Sequence, residues 1–320
     1  MQHTTITADA QVQSAQALAR SSGGSTGEIM VDANGVEICA EAFGSPADPA
    51  MILVQGACAS MIRWENDFCD QLAEARRYVI RFDNRDVGRS TSFSPGEPPY
   101  DLNEMANDAV GVLDAFGVQK AHFIGASSGG MISQIVGIRH PSRVLTLTLC
   151  ISTPGVPDAA HAVDGSRSDT PGDLPSPSAS SLETVRELSS VDWTNEAVAL
   201  ETAVMEAHTL AGSRFPVDET AVRAWAPIEY GRQNNVLSFR LNTAIAETRT
   251  PAWRGGLGGI AAPTLVIHGT EDPVLPGHGV ALANEIPGAT LLTIEGMGHE
   301  IPRGAWPEII PAIIAHTQSS

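Results

Sequence analysis

The chain has 320 residues, 42% of them hydrophobic, enough for one large α/β domain with an insertion or for two domains. Its formal net charge of −18 and isoelectric point near 4.8 repel phosphate backbones and anionic lipid, so nucleic-acid and membrane partners are disfavoured and a small neutral or apolar ligand is favoured. Lys120 is the only lysine and precedes a strand-like run, which argues against Schiff-base and P-loop chemistry.

Residues 1–27 are rich in Ser, Thr, Gln and Ala and lack both a basic n-region and an apolar h-region, so they read as a flexible tail and not as a secretory signal. No apolar run approaches bilayer length, and a soluble, cytoplasmic protein is expected. Glu28 to Asp32 and Val36 to Phe43 flank Asn34-Gly35, the dipeptide that supplies positive φ in a two-residue hairpin turn. Short β-rich runs follow at Met51 to Gln55, Tyr78 to Phe82, Ala121 to Ile124, Val144 to Cys150, Thr264 to His268 and Thr290 to Ile294. Helical patterns lie between them at Trp64 to Arg76, Leu102 to Phe116, Met131 to Arg139, Gly279 to Glu285 and Pro307 to His316. Strand–helix alternation of this kind predicts an α/β fold with a mostly parallel, eight-stranded sheet flanked by helices.

The alternation breaks between Thr153 and Ile260. Pro154 to Ser181 is a Pro-, Ser-, Gly- and Asp-rich linker, and helical patterning resumes at Leu182 to Leu188, Glu196 to Leu210 and Asp218 to Gly231. The expected division is a core of residues 28–152 and 261–320 with a helical cap, 153–260, inserted after the sixth strand and lying over the carboxyl ends of the strands.

Gly125-Ala126-Ser127-Ser128-Gly129 stands between a strand-like and a helix-like run, the context of a nucleophile elbow. A serine on so sharp a turn is forced into unfavourable backbone angles that small neighbours tolerate, and its hydroxyl then projects from the sheet. Ala126-Ser128-Gly130 fits the small-residue form almost as well, but the strand run stops at Ile124 and favours Ser127. Serine needs a base, oriented by an acid, and donors for the developing oxyanion. Asp272, just after a strand, and His299, in Gly296-Met297-Gly298-His299, follow in order. Asp272 could instead cap the next helix, and Glu271 is the competing carboxylate. His122 and His268 fall in strands and His316 on the last helix, where a structural role is the ordinary one.

The oxyanion donors are expected to be the backbone N–H of Ser128 and, in Gln55-Gly56-Ala57-Cys58, that of Ala57. Trp193, Phe215 and Trp225 in the cap, with Met61, Ile62 and Trp64 beside the oxyanion loop, together supply large apolar surface for a substrate, although each alone reads more readily as core. Cys39, Cys58, Cys69 and Cys150 have no zinc-type spacing and read as buried small hydrophobes; no metal or cofactor is expected. Asp83 to Ser90 reads as a structural turn laced by ion pairs.

The order Ser, acid, His, together with Asp83 to Ser90, the elbow, Asp272-Pro273 and Gly296 to His299, resembles the α/β-hydrolase superfamily from about Val31 to the C-terminus. More narrowly, Phe43 to Ala50, Arg81 to Thr91 and Gly288 to His299 look like the aclacinomycin methylesterase group, which hydrolyses a carbomethoxy ester on an anthracycline polyketide. That resemblance implies a serine esterase with Ser127, Asp272 and His299 as its triad and a bulky polyketide-like ester as its small-molecule substrate. Gln55-Gly56 stands where the superfamily often has His-Gly, and Ala57 where the narrower group usually has a second glycine. The competing readings are C–C hydrolase, perhydrolase or lyase chemistry on the same fold, and a non-catalytic ligand receptor.

Overall fold

The computed structural model describes residues 25–155 and 174–318. Asn34 and Gly35 both take positive φ, 48° and 78°, and join β1 (Ile29–Ala33) to β2 (Val36–Phe43) in an antiparallel hairpin with Ala33 opposite Val36. The remaining strands are β3 (Ala50–Val54), β4 (Tyr78–Phe82), β5 (Ala121–Ala126), β6 (Val144–Cys150), β7 (Thr264–Gly269) and β8 (Thr290–Ile294). They form one eight-stranded sheet in the order β1-β2-β4-β3-β5-β6-β7-β8. β2 is antiparallel to both its neighbours, and every other pairing is parallel.

The central strands are covered on both faces, which is why they read as near-continuous apolar runs without alternation. Ile52 and Phe123 face α2 (Leu102–Ala115), α3 (Ser128–Arg139) and α8 (His278–Glu285), while Met51, Leu53 and Ile124 face α1 (Asn66–Glu74) and α9 (Trp306–His316). α1 starts two residues later than the sequence pattern suggests, because Met61–Arg63 forms a separate 3₁₀ turn closed by the Trp64 N–H on the Met61 carbonyl. α3 starts three residues earlier, immediately after Ser127, since the turn leaves β5 directly in helical geometry.

Among the described residues, four α-helices lie between β6 and β7: α4 (Ala179–Leu188), α5 (Glu196–Leu210), α6 (Glu219–Gly231) and α7 (Val236–Arg249). Ser178, Asn195, Asp218 and Asn235 cap their first turns with side-chain oxygens. The sequence pattern misses α7, because the face it buries includes Ser238, Asn242 and Thr243 beside Phe239 and Ala246 and so carries little apolar periodicity.

The turn after β4 fastens these helices to the sheet. Buried Asp83 pairs with Arg232 at the end of α6 and accepts the Met61 N–H at 2.8 Å. Asp86 accepts from Tyr100 at 2.6 Å and from Asn242 of α7 at 2.9 Å, and Arg85 pairs with buried Asp108. The expected tail is shorter where it can be described: Ser25 bridges to Phe43 and the Thr26 N–H donates to the Ala42 carbonyl, because the free edge of β2 beyond β1 offers unpaired backbone groups. Residues 1–24 and most of the expected linker, 156–173, lie outside the described residues. The end of that linker is anchored, with the Ser178 N–H and Ser181 Oγ both donating to the Pro273 carbonyl.

Candidate active site

Ser127 closes β5 with φ 53° and ψ −120°, a conformation that L-residues rarely hold. Its neighbours explain how the chain tolerates it. A Cβ on Gly125 would lie 2.1 Å from the Gly129 carbonyl oxygen, and one on Gly129 2.1 Å from that of Val54. The strained position falls on Ser127 and not on Ser128, which is already the first residue of α3.

Ser127 Oγ lies 3.1 Å from His299 Nε2, and His299 Nδ1 lies 2.8 Å from Asp272 Oδ2. Strands widely separated in sequence thus deliver three side chains to one end of the sheet. The two roles weighed for Asp272 coexist, one on each oxygen: Oδ1 accepts the N–H groups of Val274 and Leu275 at 2.9 and 2.8 Å, leaving Oδ2 for the imidazole. Burial pushes the Asp272 carboxyl up, but the facing His299 ring, His268 and the Leu275 N–H pull harder and hold it at about 2. Glu271 turns away and accepts from the Ser213 N–H and hydroxyl at 2.6 and 2.7 Å. His122 is hydrogen-bonded to Thr146, and His316, at the end of α9, to the Leu147 carbonyl, so neither joins this cluster.

Ala57 and Ser128 are also adjacent, in an arrangement the sequence does not announce. The Ala57 N–H donates to the Ser128 hydroxyl oxygen at 3.2 Å, and that hydroxyl donates to the Glu247 carboxyl of α7. Burial pushes Glu247 up to about 7, against the opposing pull of Ser128 and His299. Cys58 has φ 52°, its N–H on Thr243 Oγ1 at 3.3 Å, and a thiol that burial pushes up, which keeps it protonated.

Next to Ala57 a cleft open to solvent runs between the loop after β3 and α5, α6 and α7. Of the expected substrate-contacting residues, Trp193 and Trp225 line it. Met61 and Trp64 are instead fully packed, Trp64 with its ring 5.4 Å from that of Phe68 on α1. Ile62 is half-buried outside the cleft wall, and Phe215 packs at the core edge against Gly304. The cleft also holds charges the sequence reading missed. The Arg63 guanidinium lies 3.6 Å over Trp225 and bonds Glu300 at 3.3 Å; that of Arg240 lies 3.7 Å over Trp193 and pairs with Glu206. Glu229 accepts from both the N–H and the hydroxyl of Ser60 at 2.9 Å. On helices of mixed composition such residues read as solvated faces, and only the packing of α5 to α7 over the loop turns them inward.

A profile of the alpha/beta hydrolase fold matches residues 49–302. The rhodomycin D methylesterase DauP of Streptomyces sp. (strain C5) is 33% identical over 295 residues, 91% of this chain and 98% of that protein, and rhodomycin D methylesterase DnrP of Streptomyces peucetius is 32% identical over the same shares. Among solved structures, an esterase from Exiguobacterium antarcticum superposes with a TM-score of 0.69 at 20% identity, covering 91% of this chain and 99% of that one. Among the described residues no helix is long and apolar enough to cross a membrane. Taken with the sheet order and the elbow, the match over most of the chain establishes that it belongs to the α/β-hydrolase fold family and, within it, to the methylesterase-like group that DauP and DnrP represent.

Proposed function

We propose that this esterase is a serine hydrolase working through an acyl-enzyme, with Ser127 as nucleophile, His299 as general base and then acid, and Asp272 holding the imidazole. The observation that carries the reading is the unbroken chain Ser127 Oγ, His299 Nε2, His299 Nδ1, Asp272 Oδ2, with links of 3.1 and 2.8 Å. Ser127 Oγ bonds to the ester carbonyl carbon as its proton passes to His299 Nε2. The carbonyl oxygen gains the charge and turns to the N–H groups of Ser128 and Ala57. Collapse breaks the bond to the alkoxy oxygen, which leaves as the alcohol with the proton from His299. Water then repeats the sequence on the acyl-enzyme and frees the acid. Asp272, at about 2, stays ionised throughout and stabilises the imidazolium without taking its proton.

The substrate in this reading is a methyl or other small-alkyl ester of a bulky, largely apolar, polyketide-like acid. Two features support it: relatives named rhodomycin D methylesterases aligned over 91% of the chain, and a cleft walled by Trp193 and Trp225 beside Ala57. The helices α4 to α7, in residues 153–260, act as the cap over that cleft. Apolar burial at roughly 25 cal/mol per Å² would bind the acid part, and binding energy from that remote surface should appear partly in turnover. A series of methyl esters of increasing acyl bulk tests this. kcat/KM should climb with polycyclic size, and a value for methyl acetate equal to that for an aromatic polyketide ester would refute the large-substrate reading.

A further inference from the structure

Ser128 directly follows Ser127, yet its side chain is placed as closely on the reaction as its backbone. Its hydroxyl oxygen sits 3.2 Å in front of the Ala57 N–H, so any oxygen that takes this N–H must meet Ser128 Oγ there. Ser128 is buried, and the second partner of its hydroxyl is Glu247. The hydroxyl has one proton and two lone pairs, so the ionisation of Glu247 decides where that proton points. With a carboxylate at Glu247, the Ser128 proton is committed to it, and a lone pair of Oγ faces the oxygen seated against Ala57. With a carboxylic acid there, Glu247 donates to Ser128 Oγ, and the hydroxyl proton is free to turn toward that oxygen.

We propose that Ser128 Oγ is a third donor of the oxyanion site and that Glu247 is a positioning residue that sets its direction, donating only when protonated. The proposal rests on the esterase reading above and adds to it a dependence on a residue that does not touch the ester. The charge of an ionised Glu247 would also repel the developing oxyanion, so both effects of losing the proton act in the same sense. The groups facing Glu247 are few. His299 approaches it from the loop after β8, Cys58 from the loop after β3, and the positive end of α3 from Ser128. Arg240 and Glu206 act on Cys58 alongside it. No ion pair among the described residues involves Glu247, and with burial pushing it up to about 7 its proton is lost around neutral pH.

Turnover falls as Glu247 loses its proton, so its pH profile carries a descending limb near neutral pH. The test is the pH profile of kcat for a p-nitrophenyl ester, from acid to alkaline pH, on the parent, Glu247→Gln and Ser128→Ala, with a fluorophosphonate reporting on Ser127 in each. In Glu247→Gln the carboxamide N–H₂ donates at every pH. The descending limb should vanish, and alkaline turnover should exceed that of the parent by about tenfold. Ser128→Ala should shrink the same limb to the part that the charge of Glu247 alone produces while running about tenfold slower at neutral pH, and it carries the test independently if the glutamine variant does not fold. Fluorophosphonate labelling and hydrolysis with an unchanged descending limb in either variant would overturn this proposal alone. A parent that neither labels nor hydrolyses would remove the esterase reading, and this proposal with it.

Discussion

The main-chain N–H of His299 donates to the carbonyl of Leu210 at 2.7 Å, so the loop that carries the imidazole is tied to the last turn of α5. The final carbonyls of a helix have no partner within it, and here one of them holds the loop of the proposed base. The contact leaves no room beside it: a Cβ on Gly298 would lie 2.0 Å from that same Leu210 oxygen. We therefore expect Gly298→Ala to push the imidazole off Ser127. A displacement near one ångström costs about a hundredfold in kcat. Stopped-flow turnover together with a thermal melt checks this, and a variant with parental kcat would show that the loop position is not limiting.

Ser127→Ala should lower kcat by about four to six orders of magnitude, the usual consequence of removing a triad nucleophile. Ser128→Ala should lose no more than about a hundredfold, as one oxyanion donor among several does. Mass spectrometry after fluorophosphonate treatment separates the two serines, and label on Ser128 would contradict the assignment.

Asp272→Asn should reduce kcat by about ten-thousandfold, because the amide no longer fixes the His299 tautomer. Glu271→Gln, whose carboxylate holds only Ser213, should change kcat less than about twofold. Asp272 also carries a pH signature in stability. Its folded value, about 2, lies below the ordinary 3.8, so it stabilises the fold above that ordinary value and the contribution disappears as pH falls through about 2. Acid melts of the parent should therefore be steeper than those of Asp272→Asn across that window, and superimposable melts would contradict the argument.

Arg232 and Asp83 form a buried pair that joins α6 to the turn after β4, and Asp83 is pushed up by its burial. Removing one partner leaves a charge without compensation in a dry site. Arg232→Ala should cost about 3–5 kcal/mol, whereas Arg232→Gln with Asp83→Asn should cost clearly less than the sum of the two single changes. Urea unfolding of the parent, Arg232→Gln, Asp83→Asn and their double variant gives the coupling directly, and strict additivity would refute it.

Much of the molecule was readable without coordinates, and for local reasons. The Asn34-Gly35 turn, the apolar β3 to β7 strands and the small residues around Ser127 are each dictated by backbone sterics or burial over a few residues. Ser127, Asp272 and His299 could be nominated because each stands at the end of a recognisable strand or in a glycine-rich loop, in an order few folds share. Contacts made across the chain left no such mark. Helix α7 buries serine, asparagine and threonine, so its periodicity is silent, and Glu247 upon it is an ordinary glutamate until folding sets it against Ser128. Trp64 and Trp225 look alike in sequence, but packing sends one into the core and the other into the cleft under Arg63. Local sterics and hydrophobic period belong to neighbouring residues and are therefore written in the sequence. The surroundings of a charge depend on which distant elements close over it, and that only the tertiary structure decides.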